Sequence, residues 1–423
     1  MKNLKFLLLF IFLISVFISC EESDEADESN TINIGLMVPI LQYEEFSNEM
    51  KNAANLAIEE INSNGDILGK KLKLIVKDNE ASKEVALEKG KELINDDNAV
   101  ALISTASSRC LYLANNLIID KEVLLISPSA TSPQLTDLND RGFFWRTIPS
   151  DAFQGKIIAD YVKNVLEISE MAILHTNSIY GKGLKNAFTD HIMSLGTPII
   201  FSVQSFDESE DENYDDYDFH SQLDLLLENK PPLLFLVTGA GAGLQKIIAT
   251  LDTMKIFDDT YKPQIIGTEA FKSNDFLNEN SHSVIKNLIG ISPLNPYNQT
   301  FNNNFENFIG KAPIRSYSYS MYDAIYLIAY SILSSESTIP KDFIKKIREI
   351  SSDGEKIGIN EFQKAKEKIE NGISIDYDGA SGRLEFDENG DLASGIYEIW
   401  QIKENTSYPD SLEFETIKEV DFP

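Results

Sequence analysis

Two deficits of this chain exclude whole classes of protein. Its 423 residues include only two cysteines, Cys20 and Cys110, so at most one disulfide bond can form. Basic residues are also scarce: 37 lysines and arginines stand against 67 aspartates and glutamates, a formal net charge of −30 at pH 7. A chain this acidic is repelled by phosphate backbones and by anionic lipid headgroups. We therefore expect no nucleic acid among its partners.

Histidines are also sparse, and their positions do not suggest a metal site. The four of them lie far apart, without the spacing of metal ligands, at His175, His191, His220 and His282. No serine, cysteine or threonine is recognisable as a nucleophile with its base. Glycines at 239, 241 and 243 follow an apolar run, but their spacing differs from the dinucleotide fingerprint. We expect no metal, no cofactor and no enzymatic activity.

The N-terminus indicates export. Lys2 and Lys5 precede a predominantly apolar run at residues 6–18, which is too short to span a membrane but typical of a signal peptide. Ser19-Cys20 resembles a bacterial lipoprotein cleavage site, so we expect residues 1–19 to be removed. Cys20 would then carry acyl chains, palmitate among them, as an anchor to a membrane of the cell envelope. Residues 20–31 are acidic and are expected to form a disordered tether.

Strand-like and helix-like patterns alternate from residue 32 to about residue 290. The predicted strands are 32–38, 72–76, 99–103, 123–126, 171–174, 199–203, 233–237 and 264–266. Helical patterns lie between them, and further helices are predicted at 301–309, 319–334, 341–349 and 360–371. This alternation favours an α/β fold with parallel sheets, and the chain length favours two domains. A hairpin is expected around Asn389-Gly390, with strands at 384–386 and 395–401.

Two of the predicted strands end in turns that are rich in hydroxyl groups. One strand runs into residues 104–108, which include Ser107 and Ser108, and the next runs into residues 127–131, which include Thr131. Parallel strands bind ligands at their carboxyl ends, and a helix that starts there offers free N–H groups to an anion. The alternative is that these residues are ordinary helix caps. Two such turns side by side favour a site for a small anion such as a carboxylate.

Six stretches, taken together in this order, resemble the type I periplasmic-binding-protein family, in its branched-chain amino-acid branch. They are residues 34–39 (IGLMVP), 57–62 (AIEEIN), 67–72 (ILGKKL), 125–132 (LISPSATS), 180–183 (YGKG) and 386–391 (FDENGD). The resemblance implies two doubly wound parallel-sheet domains joined by three crossings near residues 145–151, 292–296 and 379–383. The implied first domain is 32–148 plus 297–380, and the second is 149–296 plus 381–423.

The resemblance also implies a site for an amino-acid headgroup. Ser107, with Ser108 beside it, and Thr131 would hold the ligand carboxylate, helped by the backbone of Ala130 and Thr131. Glu269, which follows the strand at 264–266, would hold the ammonium group. Two aromatic residues, Tyr180 and Phe46, match positions that line the cleft. The alternatives are a solvent-facing acid for Glu269, a packing ring near the hinge for Tyr180 and a core ring for Phe46.

The chain departs from its relatives where the ligand side chain would lie. Ala240 stands at a position where members of the resembled family can carry a tyrosine, and Thr105 and Ala106 replace apolar wall residues, so the side chain of the ligand is not predicted. The function expected is a lipid-anchored solute-binding protein that captures an amino acid or a similar small molecule and delivers it to an ABC permease. It would face the periplasm or the cell exterior. The alternative is a ligand-sensing lipoprotein that docks on a signalling partner.

Overall fold

The computed structural model describes residues 30–207, 214, 217–254, 260–294, 298–408 and 411–422. The predicted signal peptide, Cys20 and almost all of the acidic tether lie outside these residues. Within the described ranges, no helix has both the length and the apolar character needed to cross a membrane.

Fifteen strands occur in the described part of the chain. They are β1 (Thr31–Val38), β2 (Lys71–Asp78), β3 (Ala99–Ser104), β4 (Leu124–Ser127), β5 (Phe144–Arg146), β6 (Glu170–Thr176), β7 (Ile199–Phe206), β8 (Leu233–Val237), β9 (Gln264–Gly267), β10 (Ile289–Leu294), β11 (Glu355–Ile357), β12 (Ile375–Gly379), β13 (Gly382–Arg383), β14 (Gly395–Glu404) and β15 (Leu412–Phe422). Every predicted strand before residue 290 overlaps one of them.

The helices follow the predicted alternation. They are α1 (Glu44–Ser63), α2 (Lys83–Asn95), α3 (Ser107–Leu113), α4 (Asp151–Asn164), α5 (Ile179–Ser194), α6 (His220–Leu227), α7 (Ala242–Thr253), α8 (Asn274–Glu279), α9 (His282–Ile285), α10 (Gln299–Ile309), α11 (Ser316–Ser335), α12 (Pro340–Phe343) and α13 (Phe362–Glu370). α3 continues through a π turn and one further α turn to Lys121. The helix predicted at 341–349 is shorter, because a 3₁₀ turn follows α12.

The first sheet is parallel, in the order β2-β1-β3-β4-β5. Its central strands are buried on both faces. Leu36 and Met37 of β1, which are adjacent and so point to opposite faces of the sheet, both have no exposed surface. Strands buried on both faces read as continuous apolar runs rather than alternating ones, which is what the sequence has here. α1 and α11 pack against each other beside this sheet, and the face of α1 with Met50, Ala53 and Ala57 is inaccessible to solvent.

The second sheet has seven strands, in the order β15-β14-β10-β9-β8-β6-β7. β6 to β10 are parallel, whereas β14 runs antiparallel to β10 and to β15. β14 and β15 form a long hairpin on the edge of the sheet. A third, small sheet joins β11, β12 and β13.

Separate hydrophobic cores divide the described residues into two units. The core of the first unit takes residues between Ile32 and Trp145 and again between Phe301 and Leu392. Two clusters in the second unit take residues between Ile157 and Ile291 and between Tyr397 and Phe422. The chain therefore passes between the units three times, after β5, after β10 and after Leu392.

The last of these passages differs from the expectation. Leu384, Phe386 and Leu392 belong to the core of the first unit, so the chain enters the second sheet after Leu392 and not near residues 379–383. The hairpin predicted from strands 384–386 and 395–401 is wrong. Phe386 makes only an isolated bridge with Leu392, while β14 pairs with β10 and β15. Burial of these three apolar side chains in the first core keeps the segment before Leu392 away from β14.

Candidate functional site

The two hydroxyl-rich turns meet at the carboxyl end of the first sheet. The Ser107 hydroxyl, at the first residue of α3, accepts a hydrogen bond from the Ser132 amide at 3.0 Å. The Ala106 amide donates to the Ser129 hydroxyl at 3.4 Å. Ala106 itself has φ 64° and ψ 139°, a region that residues with a Cβ rarely occupy. Strained backbone of this kind is concentrated at ligand-binding turns.

Inside the second turn, one predicted donor is already used. The Ala130 amide donates to the Ser127 hydroxyl at 3.0 Å, and that hydroxyl donates to the Ser104 carbonyl at 2.8 Å. Ala130 therefore shapes the turn with its amide rather than presenting that amide to a ligand. Ser107 differs, because its oxygen accepts from Ser132 and its own proton is left to donate. Ser108, the next residue of α3, is half-buried beside it.

Thr131 contacts an acidic residue of the second unit that the sequence interpretation did not assign to the site. Its hydroxyl donates to the Asp151 carboxylate at 2.9 Å, and its carbonyl accepts from the Asp151 amide at 2.8 Å. Asp151 is the first residue of α4 and is fully buried. Its second oxygen, Oδ1, has no hydrogen-bond partner among the described residues. A buried carboxylate oxygen without a donor is costly, so this atom suits a ligand donor.

Glu269 lies in a 3₁₀ turn after β9 and is not a solvent-facing acid. Its carboxylate accepts from Gln154 Nε2 at 2.8 Å, from the Tyr180 hydroxyl at 3.0 Å and from the Tyr317 hydroxyl at 3.4 Å. Tyr180 belongs to α5 of the second unit, whereas Tyr317 belongs to α11, which packs in the first unit. The Glu269 carboxylate therefore joins the two units.

Phe46 reaches the same place from the first unit. Its ring meets the Tyr317 ring edge to face, with centroids 6.1 Å apart and an interplanar angle of 85°. Phe46 is half-buried and packs against the first core. Glu49, one turn further along α1, accepts from the backbone amides of Ile314 and Arg315 at 2.9 Å each. This contact holds the segment that leads into α11, and so it positions Tyr317.

We use the term interdomain cleft for the region where the two units meet, which contains Ser107, Thr131, Asp151, Glu269 and Tyr317. Burial raises the pKa of Asp151 well above its usual value, and the charge of Glu269 raises it further. Burial likewise raises the pKa of Glu269, against the opposing effect of its hydrogen bonds. Two carboxylates whose charged forms are disfavoured by burial form an environment that a ligand ammonium group stabilises.

Ala240 is the predicted site residue that lies apart from these contacts. It is exposed, on the turn between β8 and α7. Thr105 is 1% exposed, and its hydroxyl has no hydrogen-bond partner in the described ranges. A cavity of about 550 Å³ elsewhere on the second unit is lined by none of the predicted site residues.

Three residues were missed by sequence reasoning: Asp151, Gln154 and Tyr317. Asp151 lies in the segment 145–151 that indicated the first crossing, and an acid there, next to the cleft, is the signal that could have found it. Gln154 is one turn further along α4. For Tyr317 the sequence offers no comparable signal, because its segment contains several tyrosines.

Two α/β units that are joined by three crossings and share a polar cleft define the type I periplasmic binding fold. The family described as the receptor family ligand binding region matches residues 49–405, and the chain belongs to this family. The predicted fold class and family are thereby confirmed.

A curated relative, an amino acid binding protein of Pseudomonas aeruginosa, is 30% identical over 151 residues. That match covers 36% of this chain and 40% of the length of the relative. The chain thus spans less than half of the relative that it matches. This relative is named as a binding protein and not as an enzyme.

Solved structures match over nearly the whole chain. A branched-chain amino acid transporter substrate binding protein of Streptococcus pneumoniae, in complex with isoleucine, has a TM-score of 0.69 at 20% identity, covering 92% of this chain and 100% of that one. A solute binding protein of an ABC transporter from Rhodopseudomonas palustris, in complex with 3,4-dihydroxy benzoic acid, has a TM-score of 0.70 at 18% identity, covering 92% and 97%. These likenesses establish the fold.

Proposed function

We propose that this protein is a lipid-anchored solute-binding protein that captures an amino acid or an amino-acid-like small molecule in its interdomain cleft and delivers it to an ABC permease. One observation carries the proposal. Two acidic side chains, Asp151 and Glu269, face the cleft without a hydrogen-bonded basic side chain among the described residues, while the hydroxyl groups of Ser107 and Ser108 lie at the start of α3 in the first unit. This distribution complements a zwitterion.

The ammonium end is assigned to the acidic wall. The sequence predicts that Thr131 binds the ligand carboxylate, but its hydroxyl donates its proton to Asp151, so only its lone pairs remain for a ligand. Together with Asp151 Oδ1 and the Glu269 carboxylate, they provide acceptors for the N–H groups of one ammonium. Each hydrogen bond of this charge-assisted kind contributes about 1.5–3 kcal/mol.

The carboxylate end is assigned to the N-terminus of α3. Ser107 retains a hydroxyl proton to donate, and Ser108 lies in the same first turn, where the backbone N–H groups of a helix are unpaired and the dipole is positive. Ala130 contributes through the shape of its turn. Phe46, Tyr180 and Tyr317 supply the aromatic surface of the cleft. Ala240 is exposed on its turn and lies apart from these contacts, so its proposed role of leaving room where relatives can carry a tyrosine rests on the family resemblance alone.

Envelope localisation rests on the N-terminal sequence. Residues 1–19 carry the features of a signal peptide, and Cys20 follows a small residue, as in lipoprotein cleavage sites. Residues 20–31 would act as the tether that lets the two units reach a permease. Delivery to an ABC permease is supported by the names of structurally similar proteins, one of which is a transporter substrate binding protein and another a solute binding protein of an ABC transporter.

The test combines a ligand screen with a matched pair of variants. Thermal-shift measurements against amino acids, amides and aromatic acids identify a ligand through the rise in melting temperature that binding causes. Calorimetry then compares Glu269→Gln with Glu60→Gln. Both carboxylates accept from one amide and two tyrosine hydroxyls, Glu269 at the cleft and Glu60 between α1, α10 and α11.

We expect Glu269→Gln to weaken binding by about tenfold or more, as loss of a charged hydrogen bond does. Glu60→Gln should leave the affinity unchanged. Equal affinities in the wild type and in Glu269→Gln would refute the assignment of the ammonium site.

A further inference from the structure

A buried ion pair lies directly beneath the turn that carries Thr131. Arg146, on β5, has no exposed surface, and Asp391 is 3% exposed. The Asp391 carboxylate accepts from both Nε and Nη2 of Arg146, the first at 2.6 Å. The two residues are 245 positions apart in the chain. A guanidinium and a carboxylate paired through two hydrogen bonds have a defined relative orientation.

The remaining donors of Arg146 are also used. Nη1 donates to the carbonyls of Ala130 at 3.3 Å and Ser132 at 3.0 Å, which are the two residues that flank Thr131. Nη2 donates to the Thr136 hydroxyl at 2.8 Å, and that hydroxyl donates to Asp391 at 2.6 Å. All five N–H groups of the guanidinium therefore have acceptors. A lysine could not serve these acceptors together, because its donors diverge from a single nitrogen.

Asp391 is held in place by its own turn. The Asp387 carboxylate accepts from the amides of Asn389 and Asp391 at 2.8 and 3.0 Å, and the Gly390 carbonyl accepts from the Arg146 amide at 3.1 Å. Gly390 has φ 77°, and a Cβ there would lie 2.7 Å from the Phe144 carbonyl oxygen. Only glycine allows this close approach to β5.

We infer that Arg146 and Asp391 are positioning residues for ligand binding: their ion pair fixes the backbone on both sides of Thr131 and connects it to the two chain passages next to them. Arg146 ends β5, just before the first passage to the second unit. Asp391 precedes the third, which follows Leu392. Closure of the units and the geometry of the ligand-binding turn are thereby tied to one buried group.

Hydrogen–deuterium exchange of the full-length protein tests this inference without any ligand. The reporters are the amides of Ala130 and Ser132, which are protected by Ser127 and Ser107. The variant is Asp391→Asn. Its control is Asp323→Asn, which alters an equally buried aspartate of the first unit that accepts from the Ala380 and Ser381 amides instead.

In Asp391→Asn, the Ala130 and Ser132 amides should exchange about tenfold faster or more, because a buried ion pair that loses one charge is strongly destabilised. In Asp323→Asn they should keep their wild-type rates, while the Ala380 and Ser381 amides exchange faster. Unchanged rates at Ala130 and Ser132 in Asp391→Asn, or equal acceleration there in both variants, would overturn the inference.

The role of Arg146 and Asp391 in ligand binding rests on the proposed function. A second measurement distinguishes a failure of this inference from a failure of the proposed function. Once a ligand is known from the screen, Asp391→Asn should weaken its binding more than Asp323→Asn does at equal loss of melting temperature. If exchange at Ala130 and Ser132 responds as expected while the amino acids in the screen fail to bind, the proposed ligand class is wrong and the positioning of the turn stands. If both variants lose affinity in proportion to stability, Arg146 and Asp391 are structural only.

Discussion

At the scale of single residues, the cleft is defined by two carboxyl groups that form no hydrogen bond with a basic side chain among the described residues. Asp151 and Glu269 lie on elements of the second unit, and their hydrogen-bond donors are the hydroxyl and amide groups of Thr131, Gln154, Tyr180 and Tyr317. Hydroxyl and amide donors stabilise a carboxylate without cancelling its charge. The two acids therefore favour a cationic group between them over any neutral occupant.

This arrangement predicts a pH dependence of binding. Burial raises the pKa of Asp151 and of Glu269 above their usual values of 3.8 and 4.5. A bound ammonium favours the charged carboxylates and lowers both pKa values, so acidification through the range between the free and bound pKa values weakens binding. The ligand-induced rise in melting temperature should be smaller at about pH 5 than at about pH 7.5.

In the unliganded protein, the stability of the fold changes with pH in the opposite direction. Because the folded-state pKa values of this pair lie above those of the unfolded chain, the pair stabilises the fold most in acid, and this contribution is lost as the pH rises through the folded pKa values.

The control for the pH dependence of binding is Glu269→Gln, in which the pH dependence of the ligand-induced shift in melting temperature should diminish. An equal shift at both pH values in the wild type would contradict the charge assignment.

Which site residues could be predicted depends on what brings them to the cleft. Ser107, Thr131 and Glu269 each follow a strand directly, so the strand pattern places them at the carboxyl edge of a sheet. Gln154 and Tyr317 reach Glu269 across 115 and 48 residues. Their role depends on how helices pack between the units, which local patterns do not encode.

At the scale of elements, the start of α5 is a second part of the second unit, besides Asp151, that contacts the ligand-binding turn. The Ser132 hydroxyl donates to the Ile179 carbonyl at 3.0 Å. A Cβ on Gly183 would lie 2.8 Å from Pro133 Cδ and 3.0 Å from Ser132 Oγ. Closed packing at this point therefore needs a residue without a side chain.

Two glycine-to-alanine variants distinguish an effect on closure of the two units from an effect on the stability of the fold. In Gly183→Ala the new methyl group clashes only when the units are closed, and alanine favours the helix by about 1 kcal/mol, so the melting temperature without ligand should not fall. Ligand affinity should drop by about tenfold, since binding must now oppose the clash. Calorimetry and thermal unfolding measure the two effects.

The matched control is Gly155→Ala in α4. A Cβ at Gly155 would lie 2.6 Å from Ala187 Cβ and from the Phe188 amide nitrogen, inside the second unit. That variant should lose stability with or without ligand. Loss of stability in Gly183→Ala with unchanged affinity would mean that the contact between α5 and the turn does not take part in closure.

Elements also show where sequence patterns mislead. Asn389-Gly390 does form a turn, as its sequence predicts, but the turn does not join two sheet strands. Its flanks are held by the pairing of Asp391 with Arg146 and by burial of Phe386 and Leu392. Contacts with a residue 245 positions away thus override a local hairpin signal.

At the scale of the whole molecule, contacts from both units converge on the same few residues. The first unit contributes Thr131, Ser132 and Tyr317, and the second contributes Asp151, Ile179 and Glu269, with hydrogen bonds between them. Alternation of strands and helices, together with the length of the chain, was enough to predict two parallel-sheet units. These signals did not predict the exact point of the third passage, because that point depends on which side chains are buried in the first core. The domain limits at 148 and 296 remain predictions, whereas the limit at 380 is replaced by the passage after Leu392.

The central claim is that the cleft recognises an ammonium group together with a carboxylate. Calorimetry tests it most directly, with the amino acid found by the screen compared with the same molecule lacking its amino group. We expect the analogue without the ammonium to bind at least about a hundredfold more weakly, because Asp151 and Glu269 are then left buried without a cation. Equal or tighter binding of the analogue would contradict the account and would favour an aromatic or other simple acid as the ligand.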